Sequence, residues 1–490
     1  MMSFKQLIKY FVILSTILIA LDLFMCQMFP MFRRRGEEDR RGVTLDDERM
    51  HESRNRSFSC GLYYSNWSAY EPRLHFPHEI NFDHISHVYY AFFLVDGKNG
   101  KLVSGDKWAD FQRPILKNNK LVKGNVGELF DLKMKNRVKC IMCIGGWSNR
   151  EAWHIFSTDP SKIESFTEQA VKMMFEYGFD GIDLDWEYPE DDGIEPQLYL
   201  EIMRRIKHHM NKLESEIFKD TSATTSYFEL SVATPAFKDK LEIFPLKEMD
   251  TVIDYWNMMT YDYYGEWSER TGYHSNLYDG SKGSTTIESV LRHGMSEVEG
   301  LNGDYAVKYM INQGIKKDKI ILGMAAYGRG FTNVDVPTPR PNESPRYIGR
   351  TFDGVGGASE GEPGMWRYDQ LPIPGTVEQF DPRYVSGYCF EPTTGTFVGY
   401  DTIDSVRVKT QYIKMKDIGG GFWWESCGDT HKNPERSLVN AYVKELGRDN
   451  IKKPESIYKN LHCVSHYKQS FHGKGFLSKY LKEYEKNEFQ

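Results

Sequence analysis

Phe179-Asp180-Gly181-Ile182-Asp183-Leu184-Asp185-Trp186-Glu187-Tyr188-Pro189 sets four acids among apolar residues, and the last three recur at every second position. Period two is that of a β-strand, so Asp183, Asp185 and Glu187 share one face while Ile182, Leu184 and Trp186 share the other. Alternate residues this apolar mark a buried strand and argue against a solvated acidic edge. Three carboxylates held side by side out of water cannot all ionise cheaply, because burial and like-charge repulsion each favour the neutral acid. At least one of them keeps its proton near neutral pH, the state a general acid needs. Clustered carboxylates also suit a hard cation such as magnesium or calcium, but no other acid cluster lies nearby in sequence to complete such a shell.

On both sides of this stretch the chain shows short strand-like runs separated by helical patterns or loops: Cys60–Tyr64, Ser86–Phe93, Val138–Ile144, Phe179–Glu187, Phe228–Thr234, Val252–Thr260, Lys319–Ala326 and Ile418–Trp424. Ser161–Tyr177, Gln197–Leu213, Asp404–Met415 and Ser437–Leu446 carry apolar residues at helical spacing and fill several intervals. Alternating strands and helices predict parallel βα units, and eight of them close a (β/α)8 barrel. Barrel enzymes work from the C-terminal ends of their strands, and here those ends hold unusual residues. They are Tyr63-Tyr64-Ser65-Asn66-Trp67, Tyr90-Ala91-Phe92, Gly145-Gly146-Trp147, Met259-Thr260-Tyr261-Asp262, Tyr327-Gly328-Arg329 and Phe422-Trp423-Trp424-Glu425. Any one of them could pack a core; their recurrence at strand ends beside the acid strand points to one site.

The pattern Asp180-x-x-Asp183-x-Asp185-x-Glu187 resembles the active-site signature of glycoside hydrolase family 18, the chitinases and their relatives. The six strand-end motifs are similar to that family's motifs, over about Cys60 to Gly447. The resemblance implies a (β/α)8 TIM barrel with the signature on strand four. It implies Glu187 as proton donor, Asp185 and Asp183 assisting, and Asp180 as a structural residue. It further implies that Tyr261 and Asp262 bind the acetamido group and sugar at the cleavage subsite, over a floor made by Trp424. Trp67 and Trp147 would stack further sugars, Tyr327 and Arg329 would hold the chain, and Tyr63 would hydrogen-bond Asp183. Phe92, Gly146, Tyr188 and Met259 complete the expected substrate-binding set. The expected reaction is retaining hydrolysis of chitin assisted by the substrate's own acetamido group, with no metal and no cofactor. Two other readings are a chitin-binding lectin without turnover and an endo-β-N-acetylglucosaminidase. The complete acid set speaks against the first, the aromatic subsites and insertion against the second. One departure stands out: the family's strand three ends Ser-x-Gly-Gly, and here it reads Cys143-Ile144-Gly145-Gly146.

About ninety residues separate strands seven and eight, too many for a simple connection. A small α+β insertion at about 330–400 is expected, with strands near Trp366–Tyr368, Val385–Phe390 and Thr396–Tyr400, as in the deep-cleft branch of the family. Net charge is −7 with no basic stripe in the body of the chain, which excludes nucleic acid or an anionic membrane surface as main partner; chitin or chito-oligosaccharides fit better. Thirty Tyr, 29 Phe and 10 Trp supply flat faces for sugars, although most must fill the core.

Cys26, Cys60, Cys140, Cys143, Cys389, Cys427 and Cys463 form no disulfide framework. Cys140 and Cys143 are three apart on a strand and face opposite ways, which argues against a metal or redox pair. The apolar run Tyr10–Leu21, preceded by Lys5 and Lys9 and lacking a small-x-small cleavage pair, predicts an uncleaved signal anchor within residues 1–32. The expected body is therefore lumenal or extracellular, although Arg33-Arg34-Arg35 leaves orientation open. Residues 33–58 read as a charged linker, 59–449 as the barrel and 450–490 as a basic tail. Asn55, Asn66 and Asn342 head glycosylation sequons, of which Asn66 is expected to stay bare beside Trp67.

Overall fold

The computed structural model describes residues 56–117, 120–217, 227–280, 300–337, 346–359, 362–430 and 433–460. The apolar run at the N-terminus, Asn55, Asn342, Cys26 and Cys463 lie outside them. Among the described residues no helix is long and apolar enough to cross a membrane.

Eight parallel strands close on themselves: β1 (Ser59–Ser65), β2 (His87–Val95), β3 (Lys139–Gly145), β4 (Gly181–Asp185), β5 (Glu229–Pro235), β6 (Tyr255–Met259), β7 (Ile320–Ala325) and β8 (Gly420–Trp424). Each pairs with the next in sequence, and β8 pairs with β1 to complete the ring. β4 is shorter than its sequence pattern, ending at Asp185, so Glu187 lies two residues beyond the last paired position, at the barrel mouth. Outside the ring, helices such as Lys162–Glu176 bury one face, here Ile163, Phe166, Ala170, Val171 and Met174, and leave the other in water.

Two apolar regions result. Cys140, Met142, Ile182, Leu184 and Trp186 belong to the layer between strands and helices. Cys143, Tyr63, Tyr89, Phe92, Met259, Tyr261, Tyr327 and Phe422 form a separate cluster inside the barrel. Cys140 and Cys143 are therefore on opposite sides of β3, and both are free thiols.

The N-terminal end of the barrel is filled by charge. Glu229 takes His87 Nε2 at 3.0 Å and Lys139 Nζ at 2.8 Å. Burial works against its carboxylate, but Lys139 and His87 outweigh burial and hold it far below the usual carboxylate range. Beneath this end the chain beyond residue 449 continues as packed structure. Ile451 bridges Phe58, Ser456 Oγ and Ile457 N–H donate to Asp180 Oδ1 at 2.6 and 3.0 Å, and the Tyr458 hydroxyl donates to Phe179 O at 3.0 Å. Asp180 also accepts from Lys133 Nζ at 2.7 Å and from Cys140 N–H at 2.9 Å, with both charged side chains fully buried. The first acid of the signature thus fastens the start of β4 to β3, to the helix Gly124–Lys135 and to the end of the described chain.

Between β7 and β8 the chain forms a five-stranded antiparallel sheet from Tyr327–Phe331, Met365–Arg367, Gln379–Asp381, Ser386–Glu391 and Thr396–Tyr400. Its first strand follows β7 after one residue, so the side chains of Tyr327 and Arg329 are carried from the barrel rim straight into the insertion.

Candidate active site

β4 sends Asp183 and Asp185 into the barrel and Glu187 to its mouth. Register decides what Asp183 meets, since Cys143 on β3 and Ser231 on β5 stand directly opposite it. Its Oδ2 accepts from the Tyr63 hydroxyl at 2.8 Å and from the Cys143 thiol at 3.1 Å. Its Oδ1 accepts from the Ser231 hydroxyl at 2.6 Å and from Asn257 Nδ2 at 3.2 Å. Burial raises the Asp183 pKa, and these four donors oppose the rise. A carboxylate whose two oxygens are occupied by four donors is built for a hydrogen-bond network, which disfavours the hard-cation reading of the acids.

Asp185 has no such support: its Oδ1 is buried without a hydrogen-bond partner. Burial, then the Glu187 and Asp183 carboxylates, push its pKa far above the usual range. Such an orphan oxygen inside a polar cleft is an acceptor ready for a donor from outside. Glu187 is half-buried, and burial together with the negative charge of Asp262 pushes it up to about 7, against hydrogen bonds from Tyr188 and the Trp147 backbone. It therefore holds a proton that can be given up near neutral pH.

Three residues past the end of β6, Asp262 accepts from the Tyr327 hydroxyl at 2.7 Å and from Arg329 Nε at 2.9 Å. Burial raises it, but Arg329 and His274 prevail and keep it ionised, well below the ordinary range. Arg329 Nη1 reaches Glu362 Oε1 at 2.5 Å, and its guanidinium lies 5.1 Å from the ring of Trp267.

The floor is aromatic. Trp424 lies 5.6 Å from Tyr63, 5.7 Å from Phe92 and 6.2 Å from Trp67, measured between ring centres. Met259, Tyr261 and Tyr188 close the same cluster. Gly146 has a φ of 85°, and a Cβ on it would lie 2.6 Å from the Phe92 ring, so only glycine lets β3 turn here and present Trp147. Trp147 is 58% exposed, with Arg150 4.2 Å from its ring centre. Asn66 is buried and its amide nitrogen donates to Asp110 at 3.0 Å.

A barrel with these acids at the C-terminal end of its fourth strand is what the comparisons with known proteins match. The sequence profile described as "Glycosyl hydrolases family 18" covers residues 60–429. The chain belongs to glycosyl hydrolase family 18. It is 43% identical over 457 residues to sporulation-specific chitinase 2 of Saccharomyces cerevisiae, covering 88% of this chain and 85% of that protein. Among solved structures it is similar to chitinase ChiA74 from Bacillus thuringiensis, with TM-score 0.67 and 25% identity over 82% of this chain and 71% of that one. It also shares the fold of catalytic domain 2 of the Ostrinia furnacalis Group II chitinase, solved in complex with a (NAG)5 oligosaccharide. There the TM-score is 0.65 and the identity 22%, over 83% of this chain and all of that one.

Within this family 18 site, four residues escaped the sequence reading. Ser231 and Asn257 hold Asp183, His274 sits with its Nδ1 3.7 Å from Asp262, and Trp267, 56% exposed, covers Arg329. Asn257 carried a signal, being a lone amide in the apolar run Tyr255-Trp256-Asn257-Met258-Met259. Ser231, His274 and Trp267 carried none without the partner strands or loops they meet.

Proposed function

We propose that this chain hydrolyses β-1,4-linked N-acetylglucosamine polymers, with Glu187 as general acid and then general base. The observation that carries the reading is the division of labour among the acids. Asp183 is fixed by four donors, Asp185 keeps one oxygen unpaired, and Glu187 stands at the mouth with its proton retained to about pH 7. Glu187 protonates the departing glycosidic oxygen. The 2-acetamido oxygen of the same sugar attacks its own C1, so no second carboxylate is required as nucleophile. Asp185 accepts the acetamido N–H on its free oxygen and stabilises the positive charge of the oxazolinium ion, while Asp183 takes up the proton that Asp185 releases on turning toward Glu187. Proximity of the internal nucleophile contributes on the order of several kcal/mol. Water, giving its proton to Glu187, then attacks C1 from the face the leaving group vacated, opposite the acetamido oxygen, and the second inversion gives net retention.

Tyr261 and Asp262 bind the sugar at the cleavage point, Trp424 supports it from below, and Trp67, Trp147 and Trp267 offer faces for neighbouring sugars. That the yeast relative is a chitinase and the Ostrinia domain was solved with a chito-oligosaccharide supports the substrate class. Purified full-length chain should turn over a fluorogenic chitotriose-type substrate and release the β-anomer first, read by proton NMR. Binding without turnover would instead make it a lectin, and release of N-glycans from glycoprotein with chitin untouched would make it an endo-β-N-acetylglucosaminidase. We further propose that the body lies in the secretory lumen or outside the cell on an uncleaved anchor, which the apolar run Tyr10–Leu21 supports; purified protein whose N-terminal sequence begins near residue 27 would refute the anchor.

A further inference from the structure

Trp67 stands on the four-residue turn Asn66–Ala69 that follows β1, and a ring on so short a turn keeps its angle only when the turn is fastened to a rigid element. The fastening runs through Asp110, a fully buried acid that has no part in the hydrolytic steps. Its Oδ1 accepts from Asn66 Nδ2 at 3.0 Å and from the Tyr90 hydroxyl on β2 at 2.5 Å. Its Oδ2 accepts from the Ser104 hydroxyl at 2.6 Å and from the Asp106 backbone N–H at 3.4 Å. Ser104 ends the short strand Leu102–Ser104, which pairs antiparallel with β2 and sets Ser104 opposite Phe93. A Cβ on the next residue, Gly105, would lie 2.4 Å from the Phe92 carbonyl oxygen and 3.2 Å from Asn66 Nδ2, so this loop presses on both. Burial pushes the Asp110 carboxyl up to about 6 against its donors, which leaves it ionised, and able only to accept, at neutral pH. All four partners donate, and the Asn66 amide nitrogen can do nothing else.

We propose that Asp110 is a positioning residue that acts through Asn66 to set the angle of the Trp67 ring; this rests on the reading of the chain as a chitin hydrolase. Asn66 adjoins Trp67, and Tyr90 lies two residues before Phe92 on the same strand, so one carboxylate holds the backbone behind both rings. Trp67 in turn lies 6.0 Å from Phe92 and 6.2 Å from Trp424, measured between ring centres. Stacking on a sugar face depends on the plane of the ring, so a turn released from Asp110 weakens binding without touching the chemistry. Asp183 draws on a separate set of donors, and the acids keep their places.

The test compares hydrolysis of chitohexaose by full-length wild type, Asp110→Ala, Asn66→Ala, Asp110→Asn, Trp67→Ala and the double variant Asn66→Ala/Trp67→Ala. Asp110→Ala and Asn66→Ala should raise KM about three- to tenfold, as expected for misalignment of one aromatic contact, with kcat held within about twofold. Asp110→Asn should stay within about twofold of wild type in KM, because its amide oxygen still serves Asn66 and Tyr90 while its NH2 meets the Ser104 hydroxyl, which can turn to accept. Added to Trp67→Ala, the Asn66 change should raise KM no further, since a residue that acts through the ring has nothing to act on once the ring is gone. Asn66→Ala leaves Asp110 three donors and carries the test alone if Asp110→Ala fails to fold. A wild-type KM in Asn66→Ala, or a loss that adds in full to that of Trp67→Ala, would overturn the link while leaving the hydrolase reading intact. The same series built on Glu187→Gln and read as Kd for chitohexaose separates the two readings. A wild type without turnover whose Kd series follows the expected pattern would overturn the hydrolase alone, and a Glu187→Gln protein that binds no chitohexaose would overturn both.

Discussion

Cys143→Ser probes how the acids share protons. The thiol donates to Asp183 Oδ2 at 3.1 Å, on the same oxygen as the Tyr63 hydroxyl, so exchanging sulfur for oxygen changes one of four donors and nothing else inside the barrel. A thiol is a weak donor, while a hydroxyl hydrogen bond to a carboxylate contributes roughly 1.5–3 kcal/mol. The shorter side chain of serine stands back from Asp183, so only part of that is realised, about 1 kcal/mol, or roughly 0.7 of a pKa unit. The groups facing Asp183 are Tyr63 on β1, Tyr89 on β2, Cys143 on β3, Asp185 on its own strand, Ser231 on β5 and Asn257 on β6, with no cation among them. A stronger donor therefore acts on the Asp183–Asp185 pair directly.

The sign follows from which form is stabilised. A better donor favours the Asp183 carboxylate, so the pair loses its first proton at lower pH and the acidic limb of the kcat/KM profile moves down. Cys143→Ala, which removes the donor, moves it up. At a pH on that limb the two variants should straddle wild type by up to about fivefold each way, the rate equivalent of about 1 kcal/mol. The basic limb, set by Glu187, should stay in place. Profiles of all three proteins on a chitotriose-type substrate provide the check, and superimposable acidic limbs with unchanged kcat would refute the coupling of Cys143 to the acids.

Glu187→Gln fills the same volume without a proton to give, so turnover should fall by about 10²–10⁴-fold while oligosaccharide binding persists; residual activity above about a tenth of wild type would remove Glu187 as the acid. In wild type the rate should decline as pH rises through about 7, where Glu187 loses its proton, as a kcat/KM profile would record. Asp262→Asn deletes a negative charge that raises the Glu187 pKa, so the basic limb should move to lower pH and KM should rise as Arg329 loses a partner; a basic limb that does not move would show Glu187 insulated from Asp262. Asp180→Asn leaves the buried Lys133 ammonium without its counter-charge, a loss of about 3–5 kcal/mol that should appear as a markedly lower Tm. Truncation before Ile451 removes the buried Ile451, Ile457 and Tyr458, each contributing about 1.5–3 kcal/mol, so such a chain should be recovered largely unfolded, and a Tm equal to full length would show this strap, residues 451–458, to be dispensable.

The acids were readable because a two-residue period converts directly into one face of a strand, and because Ile182, Leu184 and Trp186 say which face is which. The strand ends were readable for a related reason: Gly145-Gly146 and the aromatic and charged residues after each apolar run make sense only where strands stop. What escaped was whatever register decides. Asp183 meets Ser231 because β4 and β5 pair Gly181 with Glu229, and Asn257 reaches the same carboxylate from two strands away through the stagger of the closed sheet. Neither relation is local, so no window of sequence contains it. The boundary near 449 misplaced the last packed segment for the same reason, since Ser456 and Ile457 find Asp180 across 276 and 277 positions of chain. A signature of eight residues therefore draws on most of the protein. Its first acid binds the strap at one end of the barrel, its second reads four strands, its third keeps an oxygen free, and its last stands where β4 has ended. A substitution distant in sequence but in register with one of these positions should change the chemistry, whereas one near in sequence on the Ile182–Leu184 face should change stability alone.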